Sequence, residues 1–162
     1  MLLTVCEWLF ATNISVGIRE SLWVFPIIET IHVLGLSLSV GVLFVSDLRL
    51  VGLALTRRPA SALWSQLWPW MMAGFIVMFA SGALLFWSQP VKAYQSIFFR
   101  IKLGLLVLAG LNAVFYHLTV FRQMSEWDRA PMPPLRARLT GWISLALWAG
   151  IIAAGRTMAY TL

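Results

Sequence analysis

Four apolar stretches, at about 22–46, 67–88, 98–121 and 140–161, reach or approach a membrane-crossing length. An α-helix needs roughly 20 apolar residues to traverse the hydrocarbon core. In lipid every backbone N–H and C=O has to be bonded internally, so segments of this kind are read as helices rather than loops or open strands. Charged residues make up 11% of the chain, against roughly 25% in an average soluble domain. Too little polar surface is left to clothe a water-facing body. The chain is therefore read as an all-α membrane protein: a four-transmembrane-helix bundle forming a single membrane domain over 1–162, with a short N-terminal interfacial segment.

The ends of the spans carry their own signals. Trp23, Phe25 and Pro26 open the first, and Asp47, Arg49 and the Arg57-Arg58-Pro59 run mark its exit. Trp64, Trp68, Pro69 and Trp70 open the second, and Trp87-Ser88-Gln89-Pro90 closes it. Tryptophan collects at membrane interfaces, so these are read as aromatic belts. The net charge is +6, and its distribution sets the topology. Arg49, Arg57, Arg58, Arg122, Arg129, Arg136 and Arg138 flank one side of the membrane, against Arg19, Lys92 and Arg100 on the other. The positive-inside rule then puts both Arg-rich loops in the cytoplasm and both termini in the periplasm of a bacterial inner membrane. The basic loops are read as topology signals and lipid contacts, with no nucleic acid as partner.

Residues 1–20 lack a basic leader and contain Glu7, so no signal peptide is read there. They are expected to lie as an amphipathic helix on the outer surface, with Leu2, Val5, Trp8 and Leu9 dipping into lipid. The single cysteine, Cys6, excludes an intramolecular disulfide and a cysteine metal cage.

Ionisable residues inside the spans hold most of the functional information. His32 sits near the middle of the first span, with Glu29 one turn before it on the same face. Placing such groups in hydrocarbon costs at least ~2.5 kcal/mol, so they normally face a cavity, a partner or a ligand. Lys102 and Arg156, four residues inside Phe98 and Tyr160 respectively, are each expected roughly 6 Å below the outer interface from the helical rise. Glu29 is expected about 12 Å deep and His32 about one turn deeper. Their depths allow the four to meet in one outer-half pocket, whose surplus positive charge favours a carboxylate or phosphate. Snorkelling of the two cations and a salt bridge to Glu29 are the structural alternatives.

Other features fit less specific roles. Gly35, Ser37, Ser39 and Gly41 in the first span, and Gly141 through Gly155 in the fourth, permit close helix packing; they would equally let a flat cofactor lie against a helix. His117 falls in the cytoplasmic half, offset from His32 by on the order of 12 Å, so the two are not expected to ligate one haem. It is read instead, beside Asn112, Tyr116 and Arg122, as a hydrogen-bonded or interfacial histidine. A single Glu-x-x-His is half of a di-iron pattern, which needs two copies and two more carboxylates.

The run WVFPIIETIHVLG from Trp23 to Gly35, then Asp47-Leu48-Arg49-Leu50-Val51-Gly52, resembles a bacterial family of four-helix inner-membrane proteins of unknown function. Pro69-Trp70, Gly74-Phe75, Phe98-Phe99-Arg100-Ile101-Lys102, Leu111-Asn112-Ala113 and Gly155-Arg156 fit the same family. More distantly, a first-span histidine followed by glycine, with Lys and Arg on later spans, is similar to HemJ-type protoporphyrinogen oxidases and the copper-resistance protein D group. That resemblance implies haem b, with His32 as axial ligand and Lys102 or Arg156 on the propionates. Glu29 and Asp47-Leu48-Arg49 lie outside that pattern. Three functions follow: a haem b-binding electron-transfer or redox subunit, with His32, Glu29, Lys102, Arg156 and Gly35 at the cofactor; a non-catalytic accessory subunit working with other membrane subunits or its own copies; and a metal or small-solute transporter. No nucleophile, base and orienter can be assembled, which points away from an independent enzyme.

Overall fold

The computed structural model describes residues 2–161. Two short helices, α1 (Leu2–Phe10) and α2 (Asn13–Glu20), precede the long α3 (Val24–Val51) and α4 (Ala60–Ser88). After α5 (Pro90–Gln95) comes α6 (Ile97–Phe115), which continues through a π-helical turn at Tyr116–Val120 and a 3₁₀ turn at Phe121–Gln123 into α7 (Met124–Trp127). The long α8 (Leu135–Thr161) completes the chain. No strand occurs among the described residues. Four helical stretches, with α6 to α7 counted as one, are long and apolar enough to cross a membrane, and the protein is a multi-pass membrane protein.

Local chemistry explains the helix ends. The Ser21 hydroxyl accepts the backbone N–H of Val24 at 3.2 Å, and Pro26 occupies a first-turn position where no N–H is needed. Gly52 stops α3 in the left-handed region at φ 88°, returning its N–H to Leu48 and Arg49 carbonyls; glycine adopts that conformation without a Cβ penalty. Ser96 caps α6 by accepting from Phe99 N at 3.4 Å.

All four spanning helices run past their apolar stretches at the same end. α3 continues to Val51 rather than 46, α4 starts at Ala60 rather than 67, the third helical stretch reaches Trp127 rather than 121, and α8 starts at Leu135 rather than 140. Hydropathy falls where charges begin, whereas the hydrogen-bond ladder continues past them and ends only at Gly52, Pro59 and the Pro131–Pro134 segment. This arginine-rich end has its own small core of Leu50, Ala60, Tyr116, Val120, Met124, Trp127 and Ala137. The opposite end is covered by α1 and α2. Ser15, fully buried, donates to the Ser88 carbonyl at 3.1 Å, and Trp87 Nε1 donates to Thr12 Oγ1 at 3.0 Å. The expected N-terminal segment is thus two helices: Leu2, Val5 and Trp8 point outward, Leu9 is half-buried and Cys6 is buried as a free thiol.

Packing is sequential rather than closed. α4 packs along α3, α3 against α8, and α8 against α6, whereas α4 and α6 have no packed backbone interface of their own. The tightest contact is at two glycines. A Cβ on Gly74 would lie 2.6 Å from the Ser39 nitrogen, and one on Gly35 would lie 3.0 Å from the Met78 nitrogen. Small residues let the two backbones touch, which in lipid supplies dispersion contacts that bulky side chains would forbid. Around the middle, Met78, Trp148 and Ile151 form the core with Leu36, Val40, Leu105 and Ala109 against them.

The start of α4 is capped from a distant loop. Asp128 Oδ1 accepts the Ser61 backbone N–H at 2.7 Å, and Oδ2 accepts the Ser61 hydroxyl at 2.8 Å. The backbone N–H bond from Ser61 holds this carboxyl below the usual carboxylate range. A depressed folded-state pKa contributes stability above the unfolded value, and that contribution disappears as pH falls through the folded one. Asp128→Ala should lower stability by about 1 kcal/mol at neutral pH, the ordinary worth of an N-cap. The gap between variant and wild type should close below about pH 4, near the unfolded aspartate value, in detergent melts followed by circular dichroism. A gap that persists unchanged at low pH contradicts the capping assignment.

Candidate functional site

Two polar constellations interrupt the apolar interior. The first centres on His32, where α3 meets α4. Its Nδ1 lies 2.9 Å from the Met78 carbonyl oxygen and 3.1 Å from Ser81 Oγ. A carbonyl only accepts, so Nδ1 carries the hydrogen. Ser81 in turn donates to the Val77 carbonyl at 2.6 Å, which fixes its hydroxyl as an acceptor toward the ring. Neutral imidazole has one donor and one acceptor nitrogen; with Nδ1 occupied, Nε2 keeps a bare lone pair. Gly82 makes room for the ring, because a Cβ there would sit 3.1 Å from His32 Cε1.

Lys102 enters the same region from α6. Its stem and ammonium lie over Gly155 of α8, with Nζ 3.4 Å from where a Cβ would be, and its charge acts on His32. Glu29 also acts on His32 electrostatically, though more weakly, while its side chain is exposed. Arg156 turns away along its own helix: Nη2 donates to the Tyr160 hydroxyl at 2.9 Å, with the guanidinium 5.0 Å from the Tyr160 ring centre. Gly35 is buried at the crossing with α4. The structure therefore half-buries His32 against Gly82 of α4 and Lys102 against Gly155 of α8, and leaves Glu29 and Arg156 exposed. Among the described residues no three His, Cys, Asp or Glu side chains gather as a metal cage. A haem asks less of the protein, since one imidazole with a bare nitrogen serves as an axial ligand, and His32 fits that requirement.

The second constellation is at the arginine-rich end. A cavity of about 360 Å³ lies between α4 and α6, with α3 and α8 as its floor. Its rim includes the exposed Trp68 and Phe79, whereas Asp47, Met71, Thr140, Ser144 and Trp148 at its base are buried. Asp47, 4% exposed, bonds to Ser144. Asn112 Nδ2 donates to the Thr140 carbonyl at 3.1 Å. The π-helical turn presents Tyr116 and His117 to the cavity, and π turns of this kind recur at functional sites. His117 packs edge-on against Trp64 at 5.5 Å and Trp68 at 5.9 Å between ring centres.

Sequence reasoning took Asp47 for an interfacial exit marker. The available signal was its position: Leu50 and Val51 follow it, so the charge lies inside an apolar run. Arg49 was hidden in the same way. It is 1% exposed, and its guanidinium bonds to backbone carbonyls of Arg58, Asp128 and Ala130 at 3.0–3.3 Å.

A family of unknown function, DUF6644, matches residues 22–161, and the chain belongs to it. No curated protein matches, and neither does any solved structure.

Proposed function

We propose that this member of the family is a haem b-binding protein of the bacterial inner membrane, acting in electron transfer or as a redox subunit of a larger membrane assembly. The observation that carries the reading is the His32 ring, held through Nδ1 by the Met78 carbonyl with Nε2 uncommitted. Histidine ligands to metals commonly donate their second nitrogen to a backbone carbonyl, which fixes the tautomer and ring angle. Lys102 supplies the adjacent cation that a propionate needs. Haem would supply one-electron transfer; the protein's part is to hold the imidazole by its Nδ1–H and orient it through Met78 and Ser81 of α4. The Arg-rich loops support an orientation with that end in the cytoplasm and the His32 half toward the periplasm.

Absorption spectra of detergent-purified protein test the reading. The expected result is a Soret band that His32→Asn abolishes. The asparagine amide nitrogen occupies the position of Nδ1 and can still donate to the Met78 carbonyl, but it offers iron no imidazole. Lys102→Ala should keep the band and weaken haem retention. A colourless wild-type protein that elutes as a folded species overturns the haem reading and leaves the accessory-subunit one in its place.

A further inference from the structure

We propose that the groove between α4 and α6 binds a monovalent organic cation with an apolar tail, admitted sideways from the bilayer, and that Asp47 is its counter-charge. The site is separate from His32 and does not depend on the haem reading.

Charge is the first argument. Asp47 is buried at the base of the groove, and none of the groove's lining residues is Lys or Arg. The nearest cation in sequence, Arg49, is not among the groove's lining residues; it bonds the carbonyls of the two loops through Nε and Nη2 and leaves Nη1 without a partner. Among the described residues the Ser144 hydroxyl is the polar side chain beside this carboxyl, and the carboxyl lines the cavity. An intramembrane carboxylate in this state requires a proton or a cation.

Ring chemistry is the second. Trp64, Trp68, Phe75, Phe79, Tyr116 and Trp148 wall the groove. The faces of aromatic rings carry negative potential and attract organic cations, most strongly once water is excluded. A carboxylate with such a wall suits an ammonium whose charge is spread over carbon better than a small hydrated ion.

Access is the third. The cavity of about 360 Å³ is at the small end of the range for ligand sites, roughly 300–1,000 Å³. Its α4 and α6 rims do not pack on each other through the middle. Phe86 and Phe99 stack across the gap at one end, 5.4 Å apart, and Trp64 and Trp68 meet His117 at the other. Between these aromatic bridges lies a lateral window through which an alkyl tail would remain in lipid while its head reaches Asp47.

Isothermal titration of the full-length protein in dodecyl maltoside with hexyltrimethylammonium tests the proposal, with decylubiquinone as an uncharged comparator. Saturable binding of the cation is expected, weakened at least tenfold by Asp47→Asn and kept within a few-fold by Asp47→Glu. Gly110→Leu should weaken it equally while leaving the carboxyl untouched. Gly110 lines the cavity, and a Cβ there meets nothing within 4 Å, so the added side chain fills the groove without displacing backbone. Absence of saturable cation binding overturns the proposal, as does cation binding indifferent to Asp47→Asn in folded protein. Saturable decylubiquinone binding that Gly110→Leu abolishes and Asp47→Asn spares, with no response to the cation, reassigns the groove to neutral quinones.

Discussion

Replacing Arg49 by alanine destabilises the protein by about 4 kcal/mol or more, comparable to breaking a buried charge pair. The guanidinium is 1% exposed. Its Nε donates to the Arg58 carbonyl at 3.0 Å, and Nη2 donates to the Asp128 and Ala130 carbonyls at 3.3 and 3.1 Å. Three backbone acceptors from two loops therefore meet on one side chain, the Asp128 carbonyl also accepting the Ala60 N–H at 3.1 Å. An acceptor left without a donor costs about 1–3 kcal/mol where it is buried, and the void left by the side chain adds to that. Arg49→Lys should restore less than half of the loss, because an ammonium on a flexible stem cannot fork between the Arg58 and Asp128–Ala130 carbonyls. Unfolding in mixed micelles by added dodecyl sulfate, followed by circular dichroism, measures both variants. A loss below about 1 kcal/mol for the alanine variant, the level of an ordinary surface change, would show that the loops hold themselves.

Adding one methyl group at Gly74 should be nearly as damaging. An alanine Cβ would sit 2.6 Å from the Ser39 backbone nitrogen and 2.9 Å from Ser39 Cβ. Neither neighbour is the loose end of a flexible chain, so the helices have to separate. Overpacking of a close contact costs about 1–3 kcal/mol and occasionally more; a backbone clash belongs at the upper end. The second consequence is functional. Met78 and Ser81, which hold the His32 ring, are one and two turns along α4 from Gly74. Separation of α3 from α4 loosens the imidazole, so under the proposed haem reading Gly74→Ala should weaken haem retention together with stability. Gly104→Ala is the control: its Cβ meets nothing within 4 Å, and the effect should stay within about 1 kcal/mol. Equal stability of the two alanine variants in the same unfolding assay contradicts the close-contact account.

The periodicity and length of apolar runs made the four helices legible, because bilayer thickness and the need to bond every backbone group leave few other solutions. Their inner limits were harder to read. Arg57, Arg58 and the polar segment after Trp127 end the hydropathy signal, but the hydrogen-bond ladder ends elsewhere, at a left-handed glycine and at prolines. Residue counts set Lys102 and His32 about 11 Å apart in depth, a gap that a long lysine stem shortens. Angle around each helix was not readable from counts alone. Glu29 and Arg156 have suitable depths yet face outward, one exposed on α3 and the other turned to Tyr160. The role of Arg49 had no side-chain signature, since all its partners are carbonyls, two of them 79 and 81 residues away. The Asp47 groove arises from what fails to pack, namely α4 against α6, and no local motif encodes a gap.

The clasp of Ser15 on the Ser88 carbonyl and the grip of Arg49 on Asp128 and Ala130 impose an order on biosynthesis. The N-terminal pair of helices gains its Ser88 and α5 partners only after residue 88 has been made, and the guanidinium waits for residue 130. The first hairpin is therefore synthesised before either fastening is available, and the segment between Trp127 and Leu135 brings the second.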